Sequence, residues 1–477
     1  MSSFLVKQAQ QRLKGEITLL GDKSIACRSI ILSAVSQGKT VIENFPFSED
    51  CLYAIKVFQK LGIRITQDLR NKIANLSYQL KNPSHQYPDV KTITVFGKGL
   101  YGLKKPKGPI FVGDSGTTLR LALGVLAGHN FAVTLNAGKS LSRRPMLRVT
   151  APLRQMGAII KAKINSSATL KVDGECNRTI NPSKLEEYPP IIIKGGRLKP
   201  IAYKMPVASA QVKSAVILAG LYVRGSTCVI EPVKTRDHTE RMLKLFRADI
   251  KVNRNAIFIK GDKELVSPGR VFIPGDISSA SFFIVLAAIL PHAQILIKDV
   301  NLNSSRTGII KVLKRMGANI RVTHQATGTR SFEPMGDLVV KSSKLKGAII
   351  TKKEIPSLID ELPILMVAAC FAQGKSIFEG VGELRLKETD RIKSISDNLI
   401  KMGADIKVIK TLELEKIIIQ GGKRLKGASV RSFADHRTAM SMVVAGLLAQ
   451  GKTKIDDIAC INKSFPNFLT LLKELVY

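Results

Sequence analysis

Acidic and basic side chains are concentrated at a few points of this sequence, next to segments that are apolar enough to form buried helices. Asp360 and Glu361 come directly before an apolar run. The segment from residue 382 to residue 392 carries Glu383, Arg385, Lys387, Glu388, Asp390 and Arg391. A carboxylate in a cationic, partly desolvated cleft is a candidate general base. At helical spacing the same segment would instead pair Lys387 with Glu383, and Glu388 with Arg391, on a solvated helix. Spacing alone leaves both interpretations open.

A second set of charged residues lies where six apolar helices are predicted to begin. The starts carry Asp, Ser, Thr or Gly, which accept hydrogen bonds from free helix amides. Asp22, Asp276 and Asp435 are expected to be such caps. Cations stand at several starts, namely Lys23, Arg28, Arg120, Lys213 and Arg437. If the helix starts converge, their dipoles and these cations would bind an anion. The alternative is that the polar residues only cap buried helices.

Motifs for metals and nucleotides are not found. The six histidines show no HxxxH or HxH spacing, and the sequence has no Walker loop, dinucleotide fingerprint or Gly-x-Ser-x-Gly elbow. His436, between Asp435 and Arg437, is expected to make local hydrogen bonds. We therefore predict chemistry by Lys, Arg, Asp and Glu, with no cofactor and no metal.

The elements that would position these residues are repeated. A polar start, an apolar helix, a Gly and a β-rich run recur, beginning at Gly21, Gly113, Ala208, Gly275, Ile359 and Ala434. An amphipathic helix that ends in a turn and a strand follows most copies, as in LKRMGANIRV from Leu313. The chain is thus about six units of roughly 80 residues, longer than common solenoid repeats. Because the first helix of each unit is apolar on nearly every face, it must be buried on all sides. Two compact domains of three units each would satisfy this.

The amino-acid composition bears on whether the protein binds nucleic acid, small anions or a membrane. The 477 residues include 74 Lys and Arg against 37 Asp and Glu, a formal net charge of +37. Nucleic-acid binding would fit the charge, but the cations form no dense run and aromatic residues make up only 5%, which leaves few stacking platforms. Binding of small polyanions is the competing explanation. Apolar runs are shorter than the ~20 residues that span a bilayer. No signal layout is present, and the six cysteines form no CxxC pair, which indicates a cytoplasmic protein with reduced thiols.

Ten ordered motifs make the sequence similar to one family. GDKSIACRS, GDSGTTLR, ASAQVKSAVILAGL, IDELP, ELRLKETDR, ADHRTAM and KSFPNF are among them. Together they resemble the 5-enolpyruvylshikimate-3-phosphate (EPSP) synthase family of enolpyruvyl transferases over nearly the whole chain. The resemblance implies an α/β (α+β) fold of two domains, each an inside-out α/β barrel of three βαβαββ repeats. Residues 21–273 would form one domain. Residues 1–20 with 274–477 would form the other, with hinges near 20–21 and 273–275.

The resemblance also implies the reaction. The family transfers the enolpyruvyl group of phosphoenolpyruvate to the 5-hydroxyl of shikimate 3-phosphate, in the pathway to chorismate and the aromatic amino acids, by addition and elimination of phosphate. Asp360 would take the hydroxyl proton. Glu388 and Lys23 would move the proton at the methylene carbon, in a division that the sequence leaves open. The partners would be these two small molecules, with no nucleic acid and no membrane, and the protein would be a monomer.

Site residues are carried over by motif. The residues implied for shikimate 3-phosphate are Lys23, Ser24, Arg28, Ser209, Ala210, Gln211, Thr235, Arg236, Asp360 and Lys387. Those implied for phosphoenolpyruvate are Lys23, Asp114, Gly116, Arg144, Gln211, Arg391, Arg437 and Lys463. Arginine forks suit the carboxylate and phosphate oxygens of such ligands.

The sequence departs from the family pattern at a few positions. Leu20 replaces a Pro near the hinge, and Ala26 and Cys27 replace a common Ser-His pair. Asp114 replaces an Asn, which should weaken phosphoenolpyruvate binding unless Asp114 pairs with a cation such as Lys23 or Arg144. Gly116 is the small residue that usually accompanies sensitivity to glyphosate.

Three other protein classes fit the sequence less well. UDP-N-acetylglucosamine enolpyruvyl transferases share the fold, but they carry a reactive Cys before the Arg-Pro pair, and the segment before Arg144 has none. RNA 3′-phosphate cyclases need a catalytic His and a nucleotide, for which no signal is found. A basic RNA-binding protein on this fold would not need Lys23, Asp360 and Glu388, and all three are present.

Overall fold

The computed structural model describes residues 3–9, 13–68, 92–165, 186–326, 331–411 and 414–476. Within these ranges the fold is mixed α/β, with the two predicted helices present in each of the six units. The central helices are α1 (Lys23–Ala34), α3 (Gly116–Leu126), α5 (Ala210–Gly220), α7 (Ile277–Ile289), α9 (Leu362–Phe371) and α11 (His436–Leu448). The peripheral helices are α2 (Glu49–Lys60), α4 (Leu147–Gln155), α6 (His238–Leu245), α8 (Gly308–Arg315), α10 (Arg391–Lys401) and α12 (Phe468–Val476).

The central helices are buried on all faces, as their sequences predict. In α7 every residue from Ile277 to Ala288 is buried. Capping side chains begin five of the six, with Asp22, Ser115, Ser209, Asp276 and Asp435 accepting from helix amides. The prediction of a capping residue is wrong for α9. Its N-cap is Glu361, whose side chain makes no capping hydrogen bond and accepts from Ser278 instead.

Six small sheets cover the helices. They contain β1 (Phe4–Lys7), β2 (Lys14–Thr18), β3 (Ser36–Glu43), β4 (Arg64–Asp68), β5 (Thr92–Lys98), β6 (Ile110–Phe111), β7 (Ala132–Asn136), β8 (Ile159–Asn165), β9 (Glu186–Lys194), β10 (Ala202–Lys204), β11 (Ser226–Ile230), β12 (Asp249–Asn253), β13 (Ala256–Lys260), β14 (Leu265–Val266), β15 (Arg270–Phe272), β16 (Gln294–Asn301), β17 (Asn319–Ala326), β18 (Met335–Lys341), β19 (Ile349–Ile350), β20 (Lys375–Glu379), β21 (Asp405–Lys410), β22 (Glu415–Gln420), β23 (Ser429–Val430) and β24 (Lys452–Ile455). The order β6-β7-β9-β8 is typical, with one parallel pair and then two antiparallel pairs.

Strands from the start of the chain pair with strands from its later part. The N-terminal strands β1 and β2 pair with β24 and β16, whereas β15 pairs with β3. The two connecting segments meet at a bridge between Gly21 and Gly275. There the amide of Asp22 donates to the carbonyl of Pro274 (2.8 Å), and the amide of Asp276 to that of Leu20 (3.2 Å).

Two apolar cores result. The first contains buried residues between Ile25 and Ile273, and the second contains Val6, Leu13, Ile17 and Leu19 together with residues from Ile277 to Val476. The helices and strands that contribute to the first core, with the loops between them, are called the first half of the protein. Those that contribute to the second core are called the second half. No helix in the described part of the chain is long and apolar enough to cross a membrane. Cys27, Cys51, Cys228, Cys370 and Cys460 are free thiols, and Cys176 lies outside the described residues.

Candidate active site

A cavity of about 580 Å³ is lined by residues of both halves. It brings together every predicted site residue except Lys463. They are Lys23, Ser24, Arg28, Asp114, Gly116, Arg144, Ser209, Ala210, Gln211, Thr235, Arg236, Asp360, Lys387, Glu388, Arg391 and Arg437. Lys463 does not line the cavity but contacts it through Asp114.

The starts of all six central helices face this cavity, so the site residues at these starts lie close together. Its lining includes the first residues of α1, α3, α5 and α11, the cap of α7, and Asp360 before α9. The predicted meeting of helix starts is therefore confirmed. The positive ends of the helix dipoles add to the side-chain cations, so the cavity is suited to polyanions.

Asp360 is surrounded by cations from both halves. It accepts from Arg236, and its oxygens lie 3.5 Å from Arg391 Nη1, 3.8 Å from Lys387 Nζ and 3.9 Å from Arg437 Nη2. Burial alone would raise the pKa of Asp360, but Arg236, Arg437, Lys387 and Arg391 hold it well below its usual range. The group is ionised at neutral pH and can accept a proton.

Glu388 is a half-buried carboxylate on the cavity wall. It pairs with Arg391 of its own half and lies 3.5 Å from Arg144 Nη1 of the first half. Burial opposes ionisation, yet Arg391 and Arg144 keep its pKa well below the usual range. The predicted pair of Glu388 with Arg391 is confirmed.

The predicted pair of Lys387 with Glu383 is wrong. Lys387 reaches Asp360, and Glu383 pairs with Arg148 at 3.2 Å. Residues 382–386 form a 3₁₀ turn and α10 begins only at Arg391, so helical spacing does not apply across this segment.

Lys23 has a partner that the sequence analysis missed. Its ammonium lies 2.8 Å from Asp50, in the first turn of α2. Burial lowers the pKa of Lys23, but Asp50 more than compensates and the net shift is upward. Lys23 is thus protonated in the free protein. Asp50 is 27 positions away in sequence, and no spacing rule relates the two.

Arg28 and Gln211 are held in place by their neighbours. Arg28 donates to Thr239 Oγ1 (2.8 Å) and to Ser24 Oγ (2.6 Å). Gln211 accepts from Arg120 Nη1 (2.7 Å) and donates to Thr117 Oγ1 (3.0 Å). The cavity side chains of the first half are therefore preorganised.

Lys213 does not belong to the anion site, contrary to prediction. It is fully buried and pairs with Glu231 (3.1 Å) and Glu240 (2.6 Å). Glu231 in turn accepts from the backbone amide and the hydroxyl of Thr235. Lys213 therefore stabilises the loop of Thr235 indirectly, through Glu231.

Asp114 is paired with a cation, but not with either of those named in the prediction. Its Oδ1 accepts from the amides of Ser140 and Leu141, at 3.0 Å each, and its Oδ2 lies 3.3 Å from Lys463 Nζ. Ser115, not Asp114, caps α3. Asp114 thus both fixes the turn that leads to Arg144 and engages Lys463.

Gly116 lies against two guanidinium groups. A Cβ at this position would be 2.8 Å from Arg120 Nη1 and 2.9 Å from Arg144 Nη1, closer than real Cβ contacts. A larger residue there must displace one of these arginines. The link from Gly116 to glyphosate sensitivity stays a prediction.

His436 does not make the expected local hydrogen bonds. Both ring nitrogens are buried and have no hydrogen-bond partner among the described residues. Burial, Lys23 and Arg437 hold its pKa well below the usual value. It is a neutral imidazole on the cavity wall.

One cluster outside the cavity offers three metal-ligand types. Among the described residues only Asp237, His238 and Glu333 bring such atoms within 4.8 Å of one another. Asn303 Nδ2 donates to both carboxylates, at 2.6 and 2.7 Å, and Arg241 Nε also donates to Asp237 (3.0 Å). His238 Nδ1 lies 2.6 Å from Glu333 Oε1. Both carboxylates and this ring nitrogen are thus already engaged within the protein, which disfavours a metal there.

Comparisons with known proteins identify a family whose model matches most of this chain. A family model described as EPSP synthase (3-phosphoshikimate 1-carboxyvinyltransferase) matches residues 7–93 and 79–472. A 3-phosphoshikimate 1-carboxyvinyltransferase of Desulforamulus reducens is 40% identical over 99% of both chains. One of Syntrophomonas wolfei is 42% identical over 98% of this chain and 99% of that protein.

Solved structures extend the likeness to the fold. An EPSP synthase from Acinetobacter baumannii has a TM-score of 0.79 at 36% identity, covering 99% of this chain and 98% of that one. The enolpyruvyl transferase NikO from Streptomyces tendae has a TM-score of 0.71 at 15% identity, covering 99% and 97%. The second likeness concerns the fold alone.

Proposed function

The chain belongs to the EPSP synthase family, and from this premise we propose that its cavity transfers the enolpyruvyl group of phosphoenolpyruvate to the 5-hydroxyl of shikimate 3-phosphate. The observation that carries the proposal is the pairing of two ionised carboxylates, Asp360 and Glu388, with a surrounding set of cations from both halves. Two polyanions must be held side by side in this reaction, and one hydroxyl must lose its proton.

Asp360 is the proposed general base. It is ionised, and its pKa is kept low by four cations that would also contact the substrates. When the anionic substrates engage those cations, the pKa of Asp360 rises toward its usual value. The carboxylate then becomes a better proton acceptor as the 5-hydroxyl oxygen attacks the central carbon of phosphoenolpyruvate.

Glu388 is the proposed proton carrier at the methylene carbon. Arg391 and Arg144, which now hold Glu388, are the arginines proposed for phosphoenolpyruvate. Substrate that engages them releases Glu388 and raises its pKa, so that Glu388 takes up a proton from solvent and delivers it to the methylene carbon. It takes this proton back as the carbon–oxygen bond to the phosphate breaks, and the proton that Asp360 took from the 5-hydroxyl leaves with the phosphate. Lys23, protonated in the free protein, would neutralise charge on both substrates.

The finer architecture is proposed on the same premise. Each half would be an inside-out barrel of three βαβαββ units, with residues 21–273 in one domain and residues 1–20 with 274–477 in the other. Hinges near 20–21 and 273–275 would let the domains close and exclude water from the addition step. The protein would act as a cytoplasmic monomer.

One assay tests the function. Inorganic phosphate release is measured with shikimate 3-phosphate and phosphoenolpyruvate together and with each alone. Release only when both are present, with a product carrying the enolpyruvyl group, supports the proposal. Release that requires UDP-N-acetylglucosamine instead would overturn it.

Asp114 gives a prediction about phosphoenolpyruvate affinity. Its cation partner, Lys463, is itself a residue proposed for phosphoenolpyruvate, so this pair competes with the substrate. In Asp114→Asn the amide oxygen can still accept from Ser140 and Leu141, but Lys463 loses its anionic partner. Because partly exposed ion pairs are worth up to about 1 kcal/mol, we expect the KM for phosphoenolpyruvate to fall about threefold to fivefold with kcat unchanged. Asp114→Ala, which also frees the turn of Arg144, should raise this KM. Equal KM values for wild type and Asp114→Asn would contradict the argument.

Lys387 gives a prediction about pH. Burial lowers its pKa to about 8, although Asp360 opposes the shift. As pH rises through this value the free enzyme loses a cation beside Asp360, so kcat/KM for shikimate 3-phosphate should fall about tenfold between pH 7 and pH 9. Lys387→Arg keeps the charge and should abolish the fall, whereas Lys393→Arg, at an exposed site, should not. A wild-type profile that stays flat to pH 9.5 would refute the assignment.

A further inference from the structure

Arg306 is a buried residue that the sequence analysis did not single out. It comes just before α8 in the second half and is only 2% exposed. Its guanidinium contacts Asp22 and Asp276, the helix caps that directly follow Gly21 and Gly275. It therefore lies beside the bridge between these two glycines. It is also part of the cavity lining.

Its contacts reach the starts of three central helices. Nη2 donates to Asp276 Oδ1 (3.1 Å), the cap of α7, and lies 3.5 Å from Asp22 Oδ2, the cap of α1. The same nitrogen is 3.8 Å from Glu361 Oε1, at the start of α9. One side chain of the second half thus joins a helix of the first half to two helices of its own.

Arg306 also approaches the proposed general base. Its Nη1 lies 4.0 Å from Asp360 Oδ2. Ser278 strengthens the link, because it accepts from Arg306 Nη2 (2.7 Å) and donates to Glu361, the neighbour of Asp360. The side chain of Glu361, the residue after Asp360, is therefore tied to the cap of α7 by a short chain of hydrogen bonds.

Hydrogen bonds within the segment before Arg306, and from it to the first half, fix the position of this residue. Asn301 Oδ1 accepts from the amide of Asn303 (2.9 Å), and Asn303 Oδ1 accepts from the amide of Ser305 (2.9 Å). The amide group of Asn303 donates to Asp237 Oδ1 (2.6 Å), next to Arg236 in the first half. The segment therefore contacts both the loop of Arg236 and the start of α9.

Charge makes Arg306 hard to replace. Asp22, Asp276 and Glu361 are all buried. Burial opposes the charge of Arg306, but Asp22, Glu361, Asp276 and Asp360 together raise its pKa. Without the guanidinium these carboxylates would repel one another and the caps would move apart.

We propose that Arg306 is a positioning residue: it holds the starts of α1, α7 and α9 at fixed separations and so sets Asp360 against the 5-hydroxyl of the bound substrate. The inference rests on the proposed function, since it concerns the geometry of that same reaction. A misplacement of about 1 Å at a reacting group can cost about 100-fold in rate.

The test compares Arg306→Met, Arg306→Lys and the control Arg315→Met. Arg315 follows on α8 and also pairs with a carboxylate, Glu354, but is largely exposed. Shikimate 3-phosphate binding is titrated by calorimetry for each variant, and kcat is expressed per binding site. We expect Arg306→Met to lose about 100-fold in kcat per site, with the Kd of shikimate 3-phosphate within about threefold of wild type. Arg306→Lys should recover about tenfold of this loss, and Arg315→Met should match wild type.

The outcomes separate the two proposals. An inactive wild-type protein would refute the proposed function itself. An active wild type with unchanged kcat per site in Arg306→Met would overturn the positioning role, because the loss would then lie only in the number of folded molecules. If Arg306→Met binds no shikimate 3-phosphate, Arg306→Lys decides: about a tenfold lower kcat per site supports the role, and an unchanged value refutes it.

Discussion

Asp360→Asn should lower kcat by about 1,000-fold while leaving shikimate 3-phosphate bound at full stoichiometry. General-base catalysis contributes about 100-fold to 10,000-fold, and an amide at this position cannot accept the proton of the 5-hydroxyl. The side chain keeps its size and an oxygen toward Arg236, so the cavity should keep its shape. The measurement is single-turnover product formation together with calorimetric titration of shikimate 3-phosphate.

Glu354→Gln is the matched control for this variant. Glu354 is a carboxylate of the same half that pairs with Arg315 and does not itself line the cavity, and its replacement should leave kcat within about twofold. A kcat for Asp360→Asn within tenfold of wild type would remove Asp360 from the role of general base. The four cations around it would then serve binding alone.

Glu388→Gln should lower kcat about 100-fold and, at the same time, lower the KM for phosphoenolpyruvate. The fall in kcat follows from loss of the proton carrier. The fall in KM follows because Glu388 competes with phosphoenolpyruvate for Arg391 and Arg144 in the free protein. An uncharged amide competes less. Steady-state kinetics with varied phosphoenolpyruvate at saturating shikimate 3-phosphate measure both changes.

Glu383→Gln separates this effect from a general loss of negative charge. Glu383 lies in the same segment but pairs with Arg148, so its replacement should change kcat by less than about threefold. If Glu388→Gln raises the KM for phosphoenolpyruvate, the competition argument fails. If its kcat stays at the wild-type value, Lys23 must carry the proton instead.

The cavity accounts for only a part of the large positive charge, which by itself would fit nucleic-acid binding. Against a net charge of +37, eleven cations line the cavity, namely Lys23, Arg28, Arg120, Arg144, Arg148, Arg236, Arg306, Lys352, Lys387, Arg391 and Arg437. Most of the surplus lies elsewhere on the chain and can steer anions toward the cleft only at low ionic strength.

The sequence predicts well what depends on local patterns. The apolar helices and the caps Asp22, Asp276 and Asp435 follow from short-range periodicity and capping preference. The convergence of the helix starts depends on packing between elements, and the sequence left it as one of two interpretations. The pair of Glu388 with Arg391 is also local. The site residues were assigned through motifs, and the structure brings all of them except Lys463 to one cavity.

Partners that are distant in sequence were decided only by the tertiary structure. Lys23 with Asp50, Asp114 with Lys463 and Arg306 with Asp22 are each 27 or more positions apart. Packing also decided the burial of Lys213 away from the anion site and the position of His436, whose ring nitrogens have no hydrogen-bond partner among the described residues. Helix and strand periods act over a few residues, so the sequence by itself determined the elements and the side chains at their ends. Which charge faces which depends on packing between elements, and that packing sets the pKa values of Asp360, Glu388 and Lys387 on which the proposed chemistry depends.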